Sequence, residues 1–182
     1  MIRGTKVMLR PATEDDRRDI YMWLVASDVT PSMMGPPKYP DASIPTWEQF
    51  CADYTSHFFD GSRTDRARSF IIDADGKSVG HINYDGLDSE RSIAELDIWM
   101  RSQVFCGHGY GTDALVALMG HLHDDFAVGK CIVRPSFRNQ RAVRAYEKVG
   151  FRDSELSPED QIYTYGRGDY SDTITLECKM SA

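Results

Sequence analysis

The chain has 182 residues and a formal charge of −7, with 28 acidic side chains against 21 basic ones; that length suits one domain, expected over 1–182, whose core needs neither a disulfide nor a metal. The acidic balance argues against a nucleic-acid partner, which calls for a basic face, and Cys51, Cys106, Cys131 and Cys178 are scattered without metal-binding spacing. No apolar run approaches bilayer length and no apolar leader follows Met1, so the reading is a cytoplasmic protein with no membrane partner.

Thr5 to Leu9 alternates polar and apolar residues and reads as an opening strand. Thr13-Glu14-Asp15-Asp16 then starts a helix that buries Ile20, Trp23 and Leu24. Thr30 to Pro45 is too rich in proline, glycine and methionine to be regular for long, and Thr46 begins a second helix that carries Phe50, Tyr54 and Phe58 at helical spacing. Ser69 to Asp73, Val79 to Tyr84 and Ile93 to Met100 form a meander, broken by Asp75-Gly76 and by the polar stretch Asp85 to Arg91. A glycine-rich turn follows, then a helix over Thr112 to Asp124, a strand over Cys131 to Arg134, and a helix over Gln140 to Val149 closed by Gly150. Strands near Gln161 to Tyr165 and Thr173 to Lys179 complete the chain. The order is α+β, helices packing on a mostly antiparallel sheet.

The most informative stretch is Cys106-Gly107-His108-Gly109-Tyr110-Gly111-Thr112, which follows a strand and opens an amphipathic helix. Glycines let backbone approach a ligand, and free N–H groups together with the helix dipole attract a phosphate. A plain tight turn would look the same in isolation. A nucleotide P-loop would end in Lys-Ser/Thr, and a dinucleotide turn would lie in an early βαβ unit; neither description fits. Further on, Asn139, Ala142, Val143 and Tyr146 share one helix face, with Arg141, Arg144 and Lys148 turned elsewhere. Asn139 can cap that helix or bind a ligand.

Together the glycine turn and the segment Asn139 to Phe151 resemble the two signatures of the GNAT N-acetyltransferase superfamily, the first being its pyrophosphate-binding motif. The likeness runs over nearly the whole chain. Ile2 to Pro11, Thr13 to Asp16 and Tyr21 to Leu24 are similar to the entry of the aminoglycoside 6'-N-acetyltransferases and of the ribosomal-protein N-terminal acetyltransferases, and Tyr170 to Met180 to their closing strand. Cys106 departs from the Gln or Arg usual in the family.

The resemblance implies a GNAT fold: a mixed, mostly antiparallel central sheet splayed at a bulge, with helices on both faces. It implies acetyl-CoA as co-substrate, held by Gly107, His108, Gly109, Tyr110, Gly111, Thr112, Asn139 and Ala142, with Ile98, Trp99 and Met100 beside the thioester. Their amides would hold the oxyanion that forms on attack. An ammonium has no lone pair, so a base is useful. Glu95 and Asp97 share one face of their strand, which either is a solvated sheet face or, as in this family, borders the acceptor. Asp97 resembles the proposed base of the aminoglycoside enzymes and Glu95 the acid of the protein N-terminal group, acting through water. Tyr146 suits a general acid, because a phenol stays protonated until a thiolate leaves. No metal is expected; His121 and His123 lie on different helix faces. The expected acceptor is a small-molecule amine, foremost an aminoglycoside, or a peptide N-terminus. A non-catalytic acyl-CoA-binding module is the alternative from another class, and a homodimer is left open.

Overall fold

The computed structural model describes residues 1–33, 44–88, 90, 92–165 and 172–180. Among them, in chain order, run β1 (Ile2–Arg3), β2 (Met8–Pro11), a 3-10 turn, α1 (Arg17–Val25), α2 (Thr30–Met33), α3 (Trp47–Asp53), α4 (His57–Asp60), β3 (Arg68–Ala74), β4 (Lys77–Asp88) and β5 (Ile93–Met100). A second 3-10 turn (Gln103–Phe105), α5 (Tyr110–Phe126), β6 (Lys130–Val133), α6 (Gln140–Val149), β7 (Arg152–Asp153), α7 (Pro158–Tyr165) and β8 (Leu176–Lys179) follow. The strands make one sheet in the order β1-β2-β3-β4-β5-β6-β8-β7. Every pairing is antiparallel except β5 with β6.

Strand alternation divides the core between the sheet's two faces. Leu9, Phe70, Ile72, Ile82 and Leu96 point to one side, where α5 contributes Leu115, Leu118 and Leu122 and α6 adds Val143 and Tyr146. Ile71 and Trp99 point to the other, under Ile20 of α1, Phe50 of α3 and Phe58 and Phe59 of α4. Helices therefore cover both faces.

The feature that makes a site is the parting of β5 from β6. They pair only at Ile93, Ala94 and Glu95, whereas β5 stays paired with β4 as far as Met100. The β4–β5 register slips between Asp85 and Asp88, opposite the stretch where β6 is still bound. Beyond Glu95 the far edge of β5 is open, and a cleft runs between it, the start of α5 and the flank of α6.

Several expected elements differ. Thr5 to Val7 is a turn rather than strand, because the Asp113 carboxylate accepts from the amides of Thr5, Lys6 and Val7 (3.0, 2.7 and 3.0 Å) and leaves none for a ladder. The expected long second helix is two short ones: Thr46 caps α3 as read, through a capping box with Gln49, but the chain leaves helical geometry at Tyr54 (φ −101°, ψ 73°) and Phe58 arrives on α4. Gln161 to Tyr165 is helix, not strand, since Ser157 Oγ accepts from Asp160 N (3.2 Å) and Pro158, Glu159 and Asp160 form a favourable first turn. Residues 34–43, 89, 91, 166–171 and 181–182 lie outside the described residues, and with them most of the irregular stretch read over Thr30 to Pro45. No helix among the described residues is long and apolar enough to cross a membrane.

Candidate functional site

The glycine turn does what its composition suggests. Gly109 is the N-cap of α5 at φ +84°, and Gly107 has φ +82°. The first helical bond runs from Asp113 N to Gly109 O (3.0 Å), so the amides of Tyr110, Gly111 and Thr112 precede the ladder and are available to an anion at a seventeen-residue helix. Asp113 also clamps the residue 5–7 turn, and Lys6 Nζ donates to His108 O (3.0 Å), so the loop is held from behind. The His108 ring lies against Val104 O (3.1 Å), and the Tyr110 hydroxyl donates to Asp75 (2.9 Å). Both side chains turn away from the cleft; Gly107, Gly109, Gly111 and Thr112 line it.

The cleft has a volume of about 350 Å³. Its walls include Ile98, Trp99 and Met100 of β5 and Asn139, Ala142 and Tyr146 of α6, which brings the expected co-substrate residues together. Arg101 N donates to Val79 O (2.9 Å) on β4, so by alternation the peptide groups of Ile98 and Met100 face the open edge and that of Trp99 faces β4. Ile98 N donates to the Asp97 Oδ1 atom (2.9 Å). Asn139 Oδ1 caps α6 through Ala142 N (3.2 Å), which leaves its amide nitrogen for a ligand.

Three cations were expected to turn elsewhere and do not: Arg141, Arg144 and Lys148 line the cleft. Asn139 and Ala142 form one cleft-facing stripe of α6, and the cations take the stripe beside it, close enough to share the opening. Ser32 and Met33 of α2 and Val29 just before it also reach the cleft. Asp28 docks that segment by accepting from Ser102 Oγ (3.0 Å) and Gln103 N (2.8 Å). Nothing in a Thr-Pro-Ser-Met run signals this.

The two carboxylates of β5 have different surroundings. Arg134 holds Glu95 through two bonds, Nε to Oε1 (2.8 Å) and Nη2 to Oε2 (2.5 Å). Asp97 has no cationic partner among the described residues and accepts from the Tyr54 hydroxyl at Oδ2 (3.1 Å). Its side chain is reachable by solvent yet lies among rings: Tyr54 packs edge-on to Trp99 at 5.9 Å, and Trp99 lies 4.3 Å from His81. Desolvation in that setting pushes the Asp97 carboxyl up to about 6, Glu95 adding to the rise and the Tyr54 and Ile98 donors opposing it. His81 is fully buried and neutral, held down to about 3 by burial. Its Nδ1, Asn83 Oδ1 and Trp99 Nε1 are buried without partners among the described residues, so the floor beside Asp97 is polar.

Tyr146 stands on the α6 side of the opening. It is 6% exposed, and burial, then the charge of Asp97, raises its phenol well above the ordinary value. Tyr146 lines the cleft; Asp97 is outside its lining but near enough for its charge to act on the phenol. Among the described residues no group of three or more His, Cys, Asp or Glu side chains could hold a metal ion.

A family model described as an acetyltransferase (GNAT) domain matches residues 6–152. No curated protein matches the chain significantly. Among solved structures, RimL, a ribosomal alpha-N-protein acetyltransferase in complex with coenzyme A, is 16% identical with a TM-score of 0.72, covering 99% of this chain and 98% of its own. The aminoglycoside acetyltransferase AAC(6')-Ib, in complex with ribostamycin and coenzyme A, is 21% identical with a TM-score of 0.68, over 96% of this chain and 93% of that one. An acetyltransferase from Agrobacterium tumefaciens is 22% identical with a TM-score of 0.68, over 98% and 93%. At these identities the likeness is one of fold.

Proposed function

The chain belongs to the GNAT acetyltransferase family, and we propose that it moves the acetyl group of acetyl-CoA directly to a primary amine of a small cationic acceptor, the aminoglycosides being the proposed class. The observation that carries the mechanism is the pair Asp97 and Tyr146 across the open edge of β5. Asp97 is ionised at neutral pH because its carboxyl titrates at about 6, and it takes a proton from the acceptor's ammonium. The freed amine attacks the thioester carbonyl, the carbon–sulfur bond breaks, the departing thiolate takes the Tyr146 proton, which burial has kept in place, and the acylated nitrogen gives up its second proton, which returns Tyr146 to the phenol. The amides at the start of α5 receive the pyrophosphate, and since the Ile98 amide is given to Asp97, the Ile98 carbonyl receives the pantetheine arm and the Met100 amide the carbonyl oxygen.

Asp97 is assigned as the base ahead of Glu95 because Glu95 is already neutralised by Arg134. An Asp97 without a cationic partner among the described residues favours an acceptor that brings its own positive charge, and AAC(6')-Ib of similar fold is bound to ribostamycin. Neither Cys106 nor Cys131 is asked to act as a nucleophile; burial raises both thiols, Cys131 to about 12.

The test is amine-dependent thiol release from acetyl-CoA with aminoglycosides, polyamines and N-terminal peptides as acceptors, for the natural chain and Asp97→Asn. Turnover of aminoglycosides that collapses in Asp97→Asn is expected. Turnover of peptides alone would move the acceptor to a protein α-amine. Binding of CoA with no release for any amine would identify an acyl-CoA-binding module.

A further inference from the structure

In the amino-acid sequence Tyr54 is one of three aromatic residues, with Phe50 and Phe58, at helical spacing. In the structure it is the side chain that meets Asp97 from the opposite layer, 43 positions away in the chain. Its ring stacks on Phe50 at 4.7 Å and touches Phe58 at 5.2 Å, Trp99 at 5.9 Å and His81 at 6.2 Å. Its carbonyl accepts from Arg17 Nη2 (2.5 Å), which also donates to Cys51 O (3.1 Å), so backbone and ring are both fixed. The break in helical geometry at this residue carries the phenol off the helix axis and onto the sheet.

We propose that Tyr54 is a positioning residue for acetyl transfer: from the end of α3 its hydroxyl holds the Asp97 carboxylate turned toward the acceptor and keeps it ionised. With Tyr54 on Oδ2 and the Ile98 amide on Oδ1, both oxygens are oriented and each keeps a lone pair for the acceptor's ammonium. Without the phenol, the carboxylate would lose its only side-chain donor among the described residues, in surroundings that disfavour its charge. The other titratable groups around it are Glu95 on its own strand, tied to Arg134, Asp85 and the buried neutral His81 on β4, and Tyr146 on α6. Each is either held by another partner or neutral, or adds negative charge, so none replaces the Tyr54 donor.

This role rests on Asp97 being the base, and the experiment separates the two claims. Tyr54→Phe removes one oxygen and keeps the ring stack. The Asp97 carboxyl is titrated by carbon-13 NMR in the natural chain and in Tyr54→Phe, its signal assigned by its loss in Asp97→Asn, and the pH profile of kcat/KM for amine-dependent thiol release is recorded beside it. The expected result is an Asp97 midpoint higher by about one to two pH units, the size of a deleted hydrogen bond to a charged group. The acid limb of kcat/KM should move by the same amount, giving a loss of roughly two- to tenfold at pH 7 that grows toward lower pH and recovers at alkaline pH. An unmoved midpoint overturns the role of Tyr54 whatever the enzyme does. A moved midpoint with no change in the rate profile leaves Tyr54 holding Asp97 but removes Asp97 from the chemistry.

Discussion

The two sides of the cleft are built by different means. The α5–α6 side presents backbone: amides ahead of a helix ladder, two glycines at positive φ, and a capped helix whose cations line the rim. The α3–β5 side presents side chains: Trp99 in the lining, with Tyr54 and Asp97 beside it, delivered by segments 43 or more residues apart. A backbone-made site tolerates changes of residue so long as its dihedrals are kept. A site made of side chains depends on packing at a distance, and it is there that a carboxylate of raised pKa is held.

The sharpest way to break the comparison is to remove chemistry from one side without touching the other. Tyr146→Phe deletes the proposed proton donor and leaves the α5 amides alone. Its kcat should fall by roughly 100- to 10,000-fold, while CoA still binds with its natural affinity by calorimetry. A parallel loss of CoA affinity would mean that Tyr146 is part of the backbone-made side after all. Gly109→Val makes the converse cut: a β-branched residue at φ +84°, with its Cβ about 3.1 Å from Lys6 Nζ, carries strain of about 1–3 kcal/mol. It should weaken CoA binding by roughly 10- to 100-fold and leave the Asp97 titration where it was. A Gly109→Val protein that binds CoA normally would sink the assignment of the pyrophosphate to the start of α5.

The raised carboxyl gives a third cut, with two signs to check. With Asp97 as the proposed base, kcat/KM should fall about tenfold per pH unit below about 6. Stability moves the other way. Between the ordinary value of 3.8 and the folded value of about 6, the folded chain holds a proton that the unfolded chain has released. Stability therefore declines as pH rises through that window and stays lower above it. Asp97→Asn should accordingly lose turnover yet melt higher at pH 7, by about 1–3 °C after allowance for the side chain's solvent access. A mutant that melts lower would show that the carboxylate is structural.

The same contrast explains what could be read from the amino-acid sequence. Ile93–Met100 and Gln140–Val149 have the bounds expected of them, because alternation, a capping Asn139 and a closing Gly150 are local signals. The glycine turn is legible for the same reason. Tyr54 is not: Phe50, Tyr54 and Phe58 satisfy a helical period, and nothing in that spacing tells one helix from two with a break between them. The contact with Asp97 exists only through the break. Arg134 on Glu95 is a pairing between β5 and the residue that follows β6, invisible to periodicity. The Ser157-Pro158-Glu159-Asp160 cap is a local helix signal, but no apolar stripe follows it, since Ile162 and Tyr163 are exposed on a helix that buries little.

The mildest change tests how far the side-chain-made half depends on the element that carries it. Thr46 and Gln49 close α3 reciprocally, Gln49 N donating to Thr46 Oγ1 (3.3 Å) and Thr46 N to Gln49 Oε1 (2.8 Å). Thr46→Ala should cost about 1 kcal/mol of stability, read as a lower Tm. If α3 holds Tyr54 only as a folded unit, the Asp97 midpoint should stay near 6, because the rings of Phe50, Phe58 and Trp99 fix Tyr54 independently of the helix start. A midpoint that rises in Thr46→Ala would mean that order at the first turn of α3 reaches the base through seven residues of helix, and the acceptor side would then be more loosely held than its packing implies.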